Sequence, residues 1–322
     1  MMNIGRVIVT GAAGFIGSNT VDYLLMKGYE VVGIDNFSTG TERFVENALK
    51  NEKFTMINCD LLDKDKIVNH FSGCDFVFHL AANADVRSGT DHPSKDLEQN
   101  TIATFNVLEA MRVHSISKIV FASTGAMYGE AKVFPTPEDT SMPIQTSLYG
   151  ASKLACESMI QAYCEGFNMQ SWIFRFVSIL GYRYTHGHVY DFCKQLQEDP
   201  TKLYVLGDGL QKKSYLHIED CISAIWTGIS KSKEKVNIFN LGDSDYCQVK
   251  DSVEWIITRM NLEPAITYSG GERGWIGDNP FVFLKTDKIR SLGWKQKYTI
   301  KEGIEKTVDF LSDNRWVFDF RK

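Results

Sequence analysis

The 322-residue sequence has no apolar run near the roughly 20 residues that a membrane-spanning helix needs, so no such helix is expected. It has no C-x-x-C pair, and its seven cysteines, Cys59, Cys74, Cys156, Cys164, Cys193, Cys221 and Cys247, are odd in number. That argues against a disulfide framework and a thiolate metal centre, and favours buried structural thiols. His186 and His188 flank Gly187 without an evident third ligand, so no metal site is expected. The chain lacks a basic excess, with a net charge of −5, and so offers no footprint for nucleic acid or an acidic membrane surface. Repeats, low-complexity stretches and Pro- or Gly-rich linkers are also missing, so any second lobe is built onto the first. The N-terminus, Met1 to Arg6, enters a strand without an apolar leader, and the expected location is the cytoplasm.

What is present reads as an ordinary globular chain, 43% hydrophobic and 23% charged, long enough for about two domains. Short apolar strands are expected at 4–10, 29–35, 54–58, 76–80, 118–123 and 171–176. Helical segments separate them, at Phe15–Lys27, from about Ser94 to His114, and around Tyr149. Such alternation predicts an α/β fold, a doubly wound parallel sheet of Rossmann type. The regularity fades after about Gly181, where a smaller mixed α/β C-terminal lobe is expected. The approximate division is 1–180 and 181–322, with the two parts interleaved. The aromatic tail from Trp316 to Phe320 is expected to pack against the body or a neighbouring subunit.

Thr10-Gly11-Ala12-Ala13-Gly14-Phe15-Ile16-Gly17 lies between the first strand and the first helix. Glycines there allow a tight turn, and the helix N-terminus offers N–H donors to a dinucleotide pyrophosphate. Asp35, with Asn36 beside it, ends the second strand about 20 residues on, where a carboxylate binds ribose hydroxyls and repels a 2′-phosphate. NAD is therefore the expected cofactor. Asp60 and Leu61 follow the third strand near the expected adenine. Leu80, Ala81 and Ala82 follow the fourth, where small residues let a cofactor approach.

Tyr149 and Lys153 are four apart on a helix and share one face. A free phenol, with a pKa near 10, is a poor base at neutral pH, and a neighbouring ammonium favours the phenolate. Thr124 or Ser123, about 25 residues earlier, can hydrogen-bond a substrate hydroxyl. The set reads as hydride chemistry, in which a hydroxyl loses its proton to Tyr149 and its hydride to a nicotinamide. Lys153 also reaches the nicotinamide ribose.

These motifs resemble the extended short-chain dehydrogenase/reductase family over nearly the whole chain. The likeness is closest to its nucleotide-sugar epimerase/dehydratase branch, that of UDP-glucose 4-epimerase. Ser123 to Gly129, Tyr149 to Lys153 and Gly207 to His217 carry it. The resemblance implies a nucleoside diphosphate sugar as substrate, bound by the C-terminal lobe and oxidised at C4. It assigns Thr124, Ser178, Lys213, Tyr215 and Arg273 to the substrate. It further implies a homodimer or higher homo-oligomer. Tyr190 either stacks on the nucleotide base or packs in the core. Lys213-Ser214 stands where many relatives have Arg-Asp, and Ser178 where they have asparagine. Gly125-Ala126 replaces the Asp-Glu pair of the 4,6-dehydratases, which sets dehydration aside. A 4-epimerase is the expected activity. The alternatives are a 4-dehydrogenase that releases or passes on a 4-keto sugar and, from another class, a non-catalytic NAD sensor or scaffold.

Overall fold

The computed structural model describes residues 5–87, 89–141, 144–274 and 278–320, the last without its Phe320 side chain. Ile4, expected to start the first strand, lies outside the described residues. The chain forms two compact units. The first comprises 1–127, 147–175 and 225–239, and the second 128–146, 176–224 and 240–322.

In the first unit the chain runs β1 (Arg6–Thr10), α1 (Phe15–Met26), β2 (Glu30–Asp35), β3 (Phe54–Asn58), α2 (Lys64–His70), β4 (Phe76–His79) and α3 (Pro93–Asp96). It continues with α4 (Ala103–Val113), β5 (Lys118–Thr124), α5 (Leu148–Gly166) and β6 (Gln170–Phe176). Val, Ile and Phe dominate these strands because both faces of the sheet are covered by helices. The sheet has seven strands in the order β11-β6-β5-β4-β1-β2-β3, where β11 is the later strand Val236–Leu241. Strand β1 runs parallel to β2 and β4, β2 to β3, and β4 to β5. The order reverses at β1, and in open α/β sheets ligands bind beyond the carboxyl ends of strands at such a switch point.

One face of the sheet buries Ile8, Ile34, Val77 and Ile119 under Val107 and Met111 of α4 and Ile160 of α5. On the other side Trp172 stacks on Phe76, centroids 5.6 Å apart. Gly28 ends α1 with φ +86°, and its N–H donates to Leu25 O at 2.9 Å.

The helix expected from Ser94 to His114 is interrupted. Between α3 and α4 lies a π-helical segment, Leu97–Ile102. The hydrophobic period gives no sign of this wide turn, within which Asn100 bonds to Asp96, Asn83 and Ser152.

In the second unit the strands are β7 (Ser178–Leu180), β8 (Lys202–Val205), β9 (Lys212–Lys213), β10 (Tyr215–His217), β12 (Cys247–Gln248), β13 (Ala265–Tyr268) and β14 (Phe281–Val282). They form small sheets, β10-β7, β12-β9-β14 and β13-β8. The helices are α6 (His188–Glu198), α7 (Ile218–Lys231), α8 (Val249–Met260), α9 (Asp287–Ser291), α10 (Ile300–Asp313) and α11 (Val317–Phe320), with the last seven residues of α7 belonging to the first unit. The tail packs inside its own unit: Val317 is fully buried and Phe318 lies 5.0 Å from the ring of Tyr190. All seven cysteines are free and buried.

Candidate active site

The glycine turn is closed to side chains. Gly11 has φ +69°, and a Cβ there would lie 2.8 Å from the Ala81 Cα. A Cβ on Gly17 would meet the Gly11 carbonyl oxygen at 1.9 Å, so α1 packs directly on the turn. Gly14 N–H donates to Gly11 O at 3.1 Å. Phe15 is buried and Ile16 half-buried in the first turn, whose leading N–H groups have no intrahelical acceptor. The turn is held from both sides of the switch point. Leu80 N and Ala81 N donate to Thr10 Oγ1 at 3.2 and 3.3 Å. Asp35 Oδ2 accepts from Ala13 N at 2.9 Å, and Oδ1 accepts from Phe37 N at 2.8 Å. Burial pushes the Asp35 carboxyl up from its ordinary pKa, and these backbone donors oppose the rise.

Beside it, Asn36 Nδ2 donates to Asp60 Oδ2 at 2.9 Å, while Leu62 N donates to Asp60 Oδ1. Leu61 is buried and Ala82 half-buried. The residues read from sequence as cofactor ligands thus lie at the carboxyl ends of β1 to β4, apart from Tyr149 and Lys153 on the helix Leu148–Gly166. A tight turn that admits only glycine at Gly11 and Gly17, next to a carboxylate, fits NAD.

The reactive set lies on β5 and α5. Ser147 caps α5, its Oγ accepting from Gly150 N at 3.0 Å. Tyr149, in the first turn, is half-buried, with the Thr124 hydroxyl near enough to favour its phenolate. Burial pushes its pKa up to about 12, opposed by the Thr124 hydroxyl and reinforced by the charges of Asp96 and Cys156. Lys153 is buried and donates to the Ala122 carbonyl at 2.9 Å, 4.7 Å from the ring centre of Phe121. Burial pushes its pKa down to about 8, against the pull of Cys156, Glu157 and Asp96.

Ser123 does not join this set. It is buried, and its hydroxyl donates to Glu157, which also receives Arg175 through Nε at 3.0 Å and Nη2 at 2.8 Å. Thr124 is therefore the hydroxyl beside Tyr149.

The sequence reading missed Asp96, Asn100, Ser152 and Glu157. Glu157 follows Lys153 by four residues and Asn100 follows Asp96 by four, so helical spacing held a signal for both pairs. His79, read as a core histidine, bonds Thr10 through Nδ1 at 2.8 Å and Thr104 through Nε2 at 2.9 Å.

Of the residues that the resemblance gave to the substrate, Thr124 lies in the first unit and the others lie in the second, in two groups. Ser178 is exposed and pairs in register with Tyr215 across β7 and β10. Lys213 donates to Asp278 Oδ1 at 2.8 Å and to the Asn279 carbonyl. Asp278 Oδ2 accepts from Gly274 N at 3.0 Å, which ties Lys213 to the turn bearing Arg273. Arg273 pairs with Glu130. Tyr215 is buried with its ring 4.9 Å from that of His188. Tyr190 is also buried; its hydroxyl donates to Val317 O at 3.4 Å and its ring packs on the tail, which is the core reading.

Comparison with known proteins agrees with this geometry. The NAD dependent epimerase/dehydratase family model matches residues 7–242. UDP-glucose 4-epimerase of Corynebacterium glutamicum is 30% identical over 311 residues, covering 91% of this chain and 92% of its own. A UDP-galactose 4-epimerase structure superposes with a TM-score of 0.86 at 35% identity, covering 97% of this chain and all of its own. UDP-glucose 4-epimerase of Thermus thermophilus, solved in complex with NAD, has a TM-score of 0.85 at 31% identity, covering 95% and 99%. By the match over most of its length and by the fold, this chain belongs to the NAD-dependent epimerase/dehydratase family, as an enzyme of the extended short-chain dehydrogenase/reductase type.

Proposed function

We propose that the protein interconverts the C4 epimers of a uridine diphosphate hexose. The observation that carries this reading is the pair of Tyr149 and Lys153 one turn apart on α5, with Lys153 fixed by the Ala122 carbonyl. Tyr149 takes the proton of the C4 hydroxyl as general base and returns it as general acid. Thr124 passes that proton by accepting from the sugar and donating to the phenol. Lys153, held by the Ala122 carbonyl, places a positive charge that favours the phenolate. Bound NAD would supply the acceptor and donor of the hydride. The residues that would hold it are Gly11, Gly14 and Gly17 with the first turn of α1, Asp35 and Asn36 at the ribose, Asp60 and Leu61 at the adenine, and Leu80 to Ala82 with Lys153 on the nicotinamide side.

Gly125 and Ala126 form a 3-10 turn straight after β5, and the Ala126 N–H donates to Thr124 Oγ1 at 3.1 Å. Neither can act as acid or base, so a 4-keto sugar formed here keeps its C6 substituent. The uridine diphosphate hexose comes from the related 4-epimerases, and Arg273 and Lys213 are the cations proposed for its diphosphate. The test is incubation with UDP-glucose or UDP-galactose and NAD, followed by proton NMR and mass spectrometry. Formation of the C4 epimer supports the reading. A 4-keto sugar with matching NADH would make the protein a dehydrogenase, and loss of one water with a new C6 methyl would make it a dehydratase. Bound NAD with no turnover would favour the sensor.

A homodimer belongs to the same proposal. Leu97, Ile102, Phe105 and Val113, from the start of the π-helical segment through α4, are between 38% and 54% exposed, as is Phe167 after α5 at 50%. So much apolar surface on adjoining helices suits a second copy. Sedimentation of wild type and a Phe105→Glu, Val113→Glu variant checks it, with the variant expected as monomer.

A further inference from the structure

We propose that the buried carboxylate of Asp96 is a positioning residue for Tyr149 and Lys153, fixing their turn of α5 through Asn100 and Ser152 and supplying a negative charge opposite Lys153. The proposal rests on the reading of Tyr149 and Lys153 as the reacting pair. Asp96 is 1% exposed. Its Oδ1 accepts from Asn83 Nδ2 at 2.8 Å and Asn100 Nδ2 at 3.3 Å. The same Asn100 amide donates to Ser152 Oγ at 2.9 Å, and Ser152 Oγ donates to the Tyr149 carbonyl at 2.8 Å. Asn83 N donates to Asn100 Oδ1 at 2.9 Å and closes the network. A continuous path of hydrogen bonds thus joins Asp96 to the backbone of Tyr149. The π-helical segment between Asp96 and α4 brings Asn100 into that path.

Oδ2 of Asp96 is buried and has no hydrogen-bond partner among the described residues. It lies under the loop that follows β4, where a Cβ added to Gly89 would come within 2.7 Å of it. A buried carboxylate with one oxygen bonded by two amides and the other bare is costly, and such groups persist where their charge has use. Burial pushes the Asp96 carboxyl above its ordinary pKa, opposed by the Asn83 bond and by the charges of Lys95 and Lys153. The groups around Lys153 are Asp96 from α3, His79 from β4, Cys156 and Glu157 from α5, and the Ala122 carbonyl of β5; Arg175 of β6 stands behind Glu157. Around Tyr149 they are Asp96, Cys156 and Thr124. Around Asp96 they are Asn83, Lys95, Asp85 and Lys153. Glu157 already pairs with Arg175, so Asp96 is the carboxylate near Lys153 without an ion pair among the described residues.

The sign follows from Coulomb attraction. A negative charge raises the pKa of both the phenol and the ammonium, so removing it lowers both. Asp96→Asn keeps the shape and an acceptor for Asn83 and Asn100 and removes the charge. In NAD-loaded protein the ultraviolet tyrosinate titration of Tyr149 is isolated by subtracting the Tyr149→Phe variant in each background. Its midpoint should move to lower pH by about half a unit in Asp96→Asn. Ser152→Ala breaks the path without changing charge, so it should lower turnover while the midpoint stays. A midpoint that stays or rises in folded Asp96→Asn overturns the electrostatic role. Wild-type turnover in Ser152→Ala overturns the positioning role. Should Asp96→Asn fail to fold, Asp96→Ser replaces it: it also removes the charge and keeps an oxygen acceptor, so the midpoint moves the same way, and an unmoved midpoint there overturns the role equally. The titration needs no substrate, so absence of epimerase activity would remove the functional reading and leave this test intact.

Discussion

Lys153 donates its ammonium to the main-chain carbonyl of Ala122 at 2.9 Å, one turn of α5 beyond Tyr149. The bond crosses from helix to strand and locks a long side chain that would otherwise sample many rotamers. Burial lowers its pKa to about 8, so the charge that supports the phenolate is present at neutral pH and is lost as the pH rises through that value. Turnover should therefore fall on the alkaline side from about pH 8. A flat pH–rate profile through pH 10 would show that the Lys153 charge is not needed.

The same burial has a cost for folding. The folded pKa lies below the ordinary 10.5, so the unfolded chain binds more protons between about 8 and 10.5, and stability from this group rises with pH across that window. Lys153→Met removes the buried charge. It should abolish turnover while raising stability at neutral pH by about 1–3 kcal/mol. Denaturant unfolding at pH 7 and pH 10 checks it, and the gain should shrink at the higher pH.

Tyr149→Phe removes one hydroxyl from a half-buried site on a helix that is otherwise unchanged. Turnover should drop by about 10² to 10⁴-fold, the usual contribution of a general acid–base group. Folding and NAD binding should persist. Near wild-type turnover would remove Tyr149 from the mechanism. Thr124→Val should also be slow, and Ser123 cannot compensate because its hydroxyl is held by Glu157.

The sheet was legible because its strands are short runs of Val, Ile and Phe bounded by turn residues, a pattern that buried parallel strands impose on sequence. The cofactor turn was legible because Gly11 and Gly17 have almost no alternative at their positions. The network around Asp96 was not, since its partners come from α5 and from the loop after β4, and a polar bond between distant segments leaves no periodic trace. Lys213 and Tyr190 show the other limit. Each is the right residue type for a phosphate or a base, yet their main partners, Asp278 and the tail at Val317, lie far along the chain.

Asp35 has two tasks under the proposed function, since its carboxylate accepts from Ala13 N and Phe37 N and is also the group proposed for the adenosine ribose. Asp35→Ala should weaken the turn itself and NAD binding with it. Asp35→Asn keeps one acceptor and loses the charge that repels a 2′-phosphate. Discrimination against NADP should relax more cleanly in that variant, measured as the ratio of the two dissociation constants. Wild-type protein that binds NADP as tightly as NAD would show that Asp35 does not set the choice.

Lys213 and Arg273 differ in burial, and that separates their effects. Asp278 is 4% exposed and takes Lys213 on one oxygen and Gly274 N on the other. Lys213→Met leaves this carboxylate buried without its cation, and removing one partner of a buried pair costs about 3–5 kcal/mol. Lower stability should therefore accompany any loss of substrate affinity. Arg273 pairs with Glu130 through side chains that are 45% and 54% exposed, and such pairs add little to stability. Arg273→Met should leave the unfolding midpoint within error of wild type. Its effect should fall on KM for the nucleotide sugar, because the charge offered to the diphosphate is gone while the catalytic pair is untouched. Thermal unfolding and kinetics on the two variants decide the matter. An unchanged KM in Arg273→Met would take Arg273 out of the binding set, and a fully stable Lys213→Met would show that Asp278 finds another partner.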